Sequence, residues 1–300
     1  MQVFNGDQFS KEALEELKKQ VVSFVECGVN PSIVSLVFID DPASKLYTRL
    51  KVKAAKQVGI NFRVFEFNLN DDFGKIKTAI EWANLDKLAT GVMIQKPSKH
   101  VWEVCRAKTR SKGGTDNFAN WWQNLVALID PAKDVDGLSV ATKQAITDNI
   151  WQQQGLVLPA TVGAVLKILA QAQFQPQAKI LIIGRSDIFG YPLYQVLKHR
   201  GLAVELIGRV GLAAKLQSSK LLSEYDVVIS ATGQPQLING AWLKNGVVAI
   251  DVGEPRGDFD FPSVSQKARL ITPVPGGVGP VTVFTLLENC LSLAKQAKNG

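Results

Sequence analysis

The chain has 300 residues, room for one large domain or two ordinary ones, and its 46% hydrophobic and 20% charged residues fit a folded chain with a core, not a disordered or collagen-like one. Its apolar runs are strand-sized, well short of the roughly 20 residues of a membrane span, and its first residues lack the pattern of a secretory leader or an arginine-rich transit peptide. Three scattered cysteines and two histidines give neither a disulfide framework nor zinc-ligand spacing, so a reducing, cytoplasmic setting without metal is expected, while the net charge of +7 suits a polyanion, whether nucleic acid or nucleotide.

Strand-like and helix-like patterns alternate from end to end, which implies an α/β architecture with parallel sheets. Residues 10–27 read as a helix with Ser10 as its cap, and 33–39 as a buried strand. Asp41-Pro42 then supplies a cap and a first-turn proline for a helix that runs to Val58 and stops at Gly59. Residues 62–67 and 91–95 are strands flanking a helix at 73–83. The stretch 96–116 is basic and reads as irregular; 120–129 is helical and ends at Asp130-Pro131. A boundary is expected near 150–160. Beyond it come a helix at 162–172, a strand at 180–183 followed at once by Gly184-Arg185-Ser186 and a helix to His199, and short strands at 203–207, 226–230, 247–251 and 270–271. A last helix covers 281–297. No internal repeat or low-complexity segment is visible.

At about 100° per residue, Lys45, Arg49, Lys53 and Lys56 form a solvated stripe on the helix after Asp41, and Tyr47, Leu50, Ala54 and Val58 face the core. Lys51 falls on the apolar side, one turn after Tyr47. Such a lysine either snorkels to the surface or sits in a pocket, where burial eases loss of its proton. The turn at residues 184–192 suits a phosphate at a helix N-terminus, although Ser186 stands where the second glycine of a dinucleotide fingerprint would be; a plain strand–helix turn is the alternative. The run Thr272-Pro273-Val274-Pro275-Gly276-Gly277-Val278-Gly279-Pro280 is either a ligand-lining loop or a structural crossover. Lys133-Asp134-Val135-Asp136-Gly137 alone reads as a charged turn. Gln95 ends a strand, where open α/β sheets place ligand contacts. No nucleophilic triad is present. Arg106, Lys108, Arg110 and Lys112 before Trp121 and Trp122 mix cations with aromatics as nucleic-acid binders do, but read better as a solvated loop entering a helix whose tryptophans are core.

Taken together and in order, Asp41-Pro42-Ala43-Ser44 with Tyr47 and Lys51, Gln95 with Pro97, Lys133 to Gly137, Gly184-Arg185-Ser186 with Gly190 and Pro192, Ala231-Thr232-Gly233-Gln234-Pro235, Ile250-Asp251-Val252-Gly253, Gly257-Asp258 and the run from Thr272 to Pro280 resemble the bifunctional methylenetetrahydrofolate dehydrogenase/cyclohydrolase family (FolD). The resemblance covers nearly the whole chain. It implies a two-domain α/β fold: an N-terminal folate domain over 1–158, completed by the C-terminal helix at 280–300, and a Rossmann-type dinucleotide domain over 159–279, with a cleft between them. It implies oxidation of 5,10-methylenetetrahydrofolate by NADP+, with NAD+ as an alternative, then hydrolysis of the methenyl product to 10-formyltetrahydrofolate. Lys51 would be the general acid/base of the hydrolysis, hydrogen-bonded to Gln95. Tyr47 would pack on the folate, with Ser44 nearby, and Asp136 would hold the pterin edge. Gly276, Gly277 and Pro280 would border folate and nicotinamide, and Gly184, Arg185, Ser186, Thr232 and Gly233 would meet the dinucleotide. A homodimer through the dinucleotide domain and a place in purine-directed one-carbon metabolism follow from the resemblance; nucleic acid and membrane are not implied as partners.

The chain departs from the family pattern in four places. Lys96 replaces the leucine after the pocket glutamine, where it would sit beside the pocket or meet the folate tail. Pro159-Ala160-Thr161-Val162 lacks the family's cysteine. The interval between Gln95 and Asp136 is longer than the family norm, with the surplus at about 99–116. Ile207-Gly208-Arg209-Val210-Gly211 replaces the hydroxyl-bearing 2′-phosphate run, leaving Arg209 as the cation for that phosphate. Three other readings compete with the bifunctional enzyme: a monofunctional NAD(P)-dependent dehydrogenase, an idle folate- or nucleotide-binding paralogue, and a nucleic-acid binder built on 106–122.

Overall fold

The computed structural model describes residues 1–107, 117–217 and 222–299. In chain order its elements are β1 (Gln2–Val3), α1 (Gly6–Glu26), β2 (Ser32–Phe38), α2 (Pro42–Val58), β3 (Asn61–Phe67), α3 (Phe73–Leu85), β4 (Gly91–Ile94), α4 (Lys99–Ala107), α5 (Phe118–Val126), α6 (Val140–Thr147), α7 (Ala160–Gln171), β5 (Lys179–Ile183), α8 (Gly190–His199), β6 (Ala203–Ile207), α9 (Arg209–Gln217), β7 (Val227–Ser230), β8 (Val247–Asp251), α10 (Phe261–Ser265), β9 (Ala268–Ile271) and α11 (Val278–Asn299). The chain divides into two compact units. One comprises Met1–Glu12 with Pro159–Thr285, the other Ala13–Leu158 with Leu286–Gly300.

The unit containing Ala13–Leu158 is built on a three-stranded parallel sheet, ordered β3-β2-β4. All seven residues of β2 are buried, as a central strand covered on both faces requires. The helix α2 follows at once. The Asp41 carboxylate caps its N-terminus by accepting from the Ala43 N–H, Pro42 stands at its first position, and Gly59 ends it in the left-handed conformation (φ 87°) with its N–H on the Ala55 carbonyl. The buried face of α2 is Ser44, Thr48, Lys51, Ala54, Ala55 and Val58. Leu50, expected in the core, is 45% exposed. The core-facing stripe therefore lies one position away, with the β-branched Thr48 inside instead.

The sequence reading also needs correction at α1. It begins at Gly6, where the Asn5 side chain accepts from the Gln8 N–H; Ser10 is not the cap but a buried residue within the helix. The stretch read as irregular contains α4, which lays Trp102 in the core beside Phe118 and Trp121. Trp121 and Trp122 are 3% and 1% exposed, core residues as expected and unable to stack on bases. Lys108, Arg110 and Lys112 lie outside the described residues, as does the second half of the 99–116 surplus. Lys96 is seated over the Phe118 and Trp122 rings, 5.7 and 5.1 Å from their centroids, a cation–π pairing that the sequence did not suggest.

The other unit carries a six-stranded parallel sheet ordered β1-β9-β8-β7-β5-β6. The strand β5 lies inside, β6 on one flank and β7 on the other, so the direction of winding reverses at β5. Ligands of open α/β sheets bind beyond the carboxyl ends of the strands at such a point. In this unit β1, α9 and α10 were not anticipated, nor was α6 in the other. Among the described residues no helix is long and apolar enough to cross a membrane, and no group of three or more His, Cys, Asp or Glu is placed to hold a metal ion.

Candidate functional site

In the unit of the smaller sheet, Lys51 is the buried cation that α2 places on its apolar face. Helical side chains lean toward the helix N-terminus, which brings this one toward the carboxyl ends of β2 and β4. Its Nζ donates to Gln95 Oε1 at 2.8 Å and lies 4.0 Å from Met93 Sδ. Gln95 is the first residue after β4, and its N–H is bonded to the Leu36 carbonyl. Lys51 is 7% exposed, and snorkelling is thereby set aside. Tyr47 stands one turn earlier, half-buried.

Ser44 is buried; its hydroxyl donates to Asp41 Oδ2 at 2.8 Å and to the Lys96 carbonyl at 3.4 Å. The same Asp41 oxygen accepts from the Ser98 N–H. Asp41 thus ties the segment after Gln95 to the start of α2, a task no sequence motif announced.

The Lys133–Gly137 turn is more than a charged surface loop. Asp134 is 1% exposed and its carboxylate accepts from the Leu138 and Ser139 N–H groups and the Thr142 hydroxyl. A parallel bridge from Val92 to Asp134 sets the turn beside β4 and leaves Asp136 half-buried at its crest. The Asn289 side chain of α11 donates to the carbonyls of Val135 and Leu158.

In the other unit, the turn after β5 is drawn tight. Gly184 has φ 126°, and a Cβ there would lie 2.5 Å from the Ala231 carbonyl oxygen; one on Gly190 would run into the Gly184 carbonyl. The helix α8 starts at Gly190, and Ser186 accepts the Tyr191 N–H on its carbonyl. Across the crevice, the Arg185 side chain lies against Gly208, whose Cβ would be 3.4 Å from Arg185 Cδ, and Arg209 Nη2 donates to the Thr232 carbonyl at 3.1 Å. Gly184, Arg185, Ser186, Arg209, Thr232 and Gly233 therefore gather beyond β5, β6 and β7. Glu205, on β6, is occupied with Tyr225 and Lys215, and desolvation, with the Glu205 contact, pushes the Tyr225 hydroxyl up to about 12.

Gly276, Gly277 and Pro280 lie where β9 turns into α11. Gly276 (φ 92°) accepts the Gly6 N–H on its carbonyl, and a Cβ on Gly277 would meet the Pro273 carbonyl. The loop is thus both a structural crossover and a close-packed backbone surface.

Behind this crevice lie two buried carboxylates that sequence patterning did not single out. Asp251 accepts from the Gly253, Asp258 and Phe259 N–H groups. Desolvation nonetheless pushes its carboxyl up to about 6 against the ordinary 3.8, with the Asp258 charge adding to the rise. The folded chain thus holds this proton over a range where the unfolded chain has released it. The Asp251 contribution to stability is fully present below about pH 3.8 and is lost as pH rises to about 6. Urea unfolding at pH 4.5 and 6.5 is expected to show a larger fall with rising pH for the unmodified chain than for Asp251→Asn; equal falls would remove Asp251 from this role.

A doubly wound parallel sheet with a glycine-bound first turn and an arginine after its second strand defines a dinucleotide-binding α/β protein. Two family models match: the catalytic domain of tetrahydrofolate dehydrogenase/cyclohydrolase over residues 4–109 and its NAD(P)-binding domain over residues 159–298. The chain belongs to this family. It is 31% identical to the bifunctional protein FolD of Lactobacillus delbrueckii subsp. bulgaricus, over 98% of each chain. The crystal structure of the bifunctional FolD methylenetetrahydrofolate dehydrogenase/cyclohydrolase from Campylobacter jejuni matches with a TM-score of 0.82 and 29% identity over 99% of each chain. That of the Trypanosoma brucei enzyme, complexed with NADP cofactor and inhibitor, matches with a TM-score of 0.85 and 26% identity over all of this chain and 99% of the other.

Proposed function

We propose that this chain oxidises 5,10-methylenetetrahydrofolate to the methenyl form with NADP+ and hydrolyses that product to 10-formyltetrahydrofolate. The observation that carries the reading is the buried Lys51 ammonium bonded to the Gln95 amide, an arrangement that a purely binding fold has no need of. The unit of the smaller sheet, Ala13–Leu158 with Leu286–Gly300, would carry the folate; that of the larger sheet, Met1–Glu12 with Pro159–Thr285, would carry the cofactor. In the hydrolysis, water adds to the methenyl carbon, the bond from that carbon to N5 breaks, and one of the two water protons remains on N5 while the other leaves. Lys51 would carry the proton between water and nitrogen, and the Gln95 oxygen would hold its Nζ in place. Asp136 would accept from the amino-pyrimidine edge of the pterin, with Tyr47 and Ser44 beside it.

The residues gathered beyond β5 fit a dinucleotide: two glycines, Gly184 and Gly190, whose missing Cβ atoms let the turn close tightly at the start of α8, and two arginines at the crevice. Bound NADP+ would supply the hydride acceptor. This chain's residues then serve chiefly to bind and orient: Gly184, Ser186, Thr232 and Gly233 along the phosphates, Gly276, Gly277 and Pro280 beside the rings, and Arg185 with Arg209 near the 2′-phosphate. Arg209, which follows β6, supports NADP+ over NAD+. Arg209→Ala is expected to raise the KM for NADP+ about tenfold, a loss of about 1.4 kcal/mol, and to change that for NAD+ by less than twofold. An unchanged ratio of the two would remove Arg209 from the site. The same reading carries a homodimer through the dinucleotide unit, a cytoplasmic setting and a supply of one-carbon units for purine synthesis; sedimentation of the purified chain tests the dimer.

A further inference from the structure

Asp258 is fully buried, follows Gly257, and no step proposed above uses it. Its Oδ2 accepts from the Thr232 N–H at 2.6 Å and from the Ser230 hydroxyl at 2.7 Å. Its Oδ1 has no hydrogen-bond partner and lies against Gly253, where a Cβ would come within 2.6 Å of it; likewise a Cβ on Gly257 would come within 2.6 Å of Asp251 Oδ2. Neither glycine is in the left-handed conformation. Each is a glycine because a carboxylate takes up its Cβ position. A carboxylate enclosed this tightly, with one oxygen unsatisfied, is costly to bury. Beside Ser230 it meets Thr232, which is held from both sides: Asp258 takes its N–H, and its carbonyl takes the Arg209 guanidinium at 3.1 Å.

We propose that Asp258 is a positioning residue for the 2′-phosphate end of the cofactor: by anchoring Thr232 it fixes the carbonyl that aims Arg209. This rests on the reading of Arg209 as the 2′-phosphate cation. Electrostatics alone gives the opposite sign, because deleting a carboxylate near an anion site tightens anion binding. Positioning gives a loss specific to the phosphorylated ligand.

The test is calorimetric binding of 2′,5′-ADP and of 5′-AMP to the full chain and its variants. Asp258→Ala is expected to weaken 2′,5′-ADP tenfold or more and 5′-AMP less than twofold. Asp258→Asn, whose amide oxygen can still accept from Thr232, is expected to rescue most of the loss. Equal weakening of both ligands, no weakening, or tighter binding of 2′,5′-ADP overturns the proposal. If Arg209→Ala leaves 2′,5′-ADP binding unchanged, the 2′-phosphate reading itself has failed. If Arg209→Ala weakens binding and Asp258→Ala does not, only the positioning role has failed. Should Asp258→Ala not fold, the Thr232 amide resonance of the unmodified chain decides. It is expected to shift further with 2′,5′-ADP than with 5′-AMP, and to lose that excess in Arg209→Ala; equal shifts with the two ligands, or none, overturn the proposal.

Discussion

Lys51→Ala is expected to lower the cyclohydrolase rate by about 10²- to 10⁴-fold, the range for loss of a positioned general acid/base, while part of the dehydrogenase rate survives. The two steps make different demands. Hydrolysis needs a group that moves a proton beside the reacting carbon, and Lys51 is the buried amine that α2 and Gln95 hold together. Hydride transfer needs two rings brought face to face, which is a matter of binding surfaces. The alanine variant also leaves a space and an unmatched Gln95 oxygen, so some loss in the oxidation is expected through folate binding. Lys51→Met separates the two contributions: it fills the volume without the nitrogen and is expected to keep more of the dehydrogenase rate than alanine does. Equal and complete loss of both activities in a folded variant would contradict the assignment of Lys51 to the hydrolytic step.

Gly190→Ala is expected to destabilise the unit of the larger sheet by about 3 kcal/mol or more, at the upper end for overpacked sites, and to abolish cofactor binding. A Cβ there would enter the Gly184 carbonyl oxygen, which is backbone and cannot rotate aside. Gly184 cannot retreat either, since its own Cβ position faces the Ala231 carbonyl and its N–H is bonded to Ile207. Relief requires the start of α8 to move away from the end of β5, and this opens the turn proposed to meet the phosphates. Gly201→Ala is the control: its φ of 75° strains any side chain, but nothing lies within 4 Å of the Cβ position. It is expected to cost about 1 kcal/mol and leave cofactor binding intact. Urea unfolding and cofactor titration of the two variants distinguish the cases.

The buried strands were legible because parallel strands covered on both faces write themselves as short apolar runs; β2, β5, β7 and β8 all do so, whereas the exposed two-residue β1 was missed. Lys51 was legible because a charge on the apolar side of a capped helix breaks a period. That same period misplaced Leu50, since 100° per residue does not say which way a helix is rotated against its sheet. The helix α4 was hidden by its composition: of its nine residues only Trp102 is buried, too few to mark a stripe. Glycines at 208 and 211 masked α9 in the same manner. The pairing of Lys51 with Gln95 came from the family resemblance and not from spacing, because 44 residues separate the partners. The second task of Asp41, at the Ser98 N–H, and those of Asp134, Asp251 and Asp258 were not legible in the chain's patterning. A buried aspartate that caps a loop has no period, and its partners are backbone N–H groups that every sequence possesses.

The most direct test follows reduced nicotinamide and methenyltetrahydrofolate together, in one progress curve, after methylenetetrahydrofolate and NADP+ are added to the purified chain. Reduced nicotinamide is predicted to accumulate while the methenyl form stays low, because it is hydrolysed faster than in buffer. Methenyl accumulating mole for mole with reduced nicotinamide would contradict the second activity and leave a monofunctional dehydrogenase. No reduced nicotinamide with either NADP+ or NAD+, from folded protein that binds folate, would contradict the enzyme altogether.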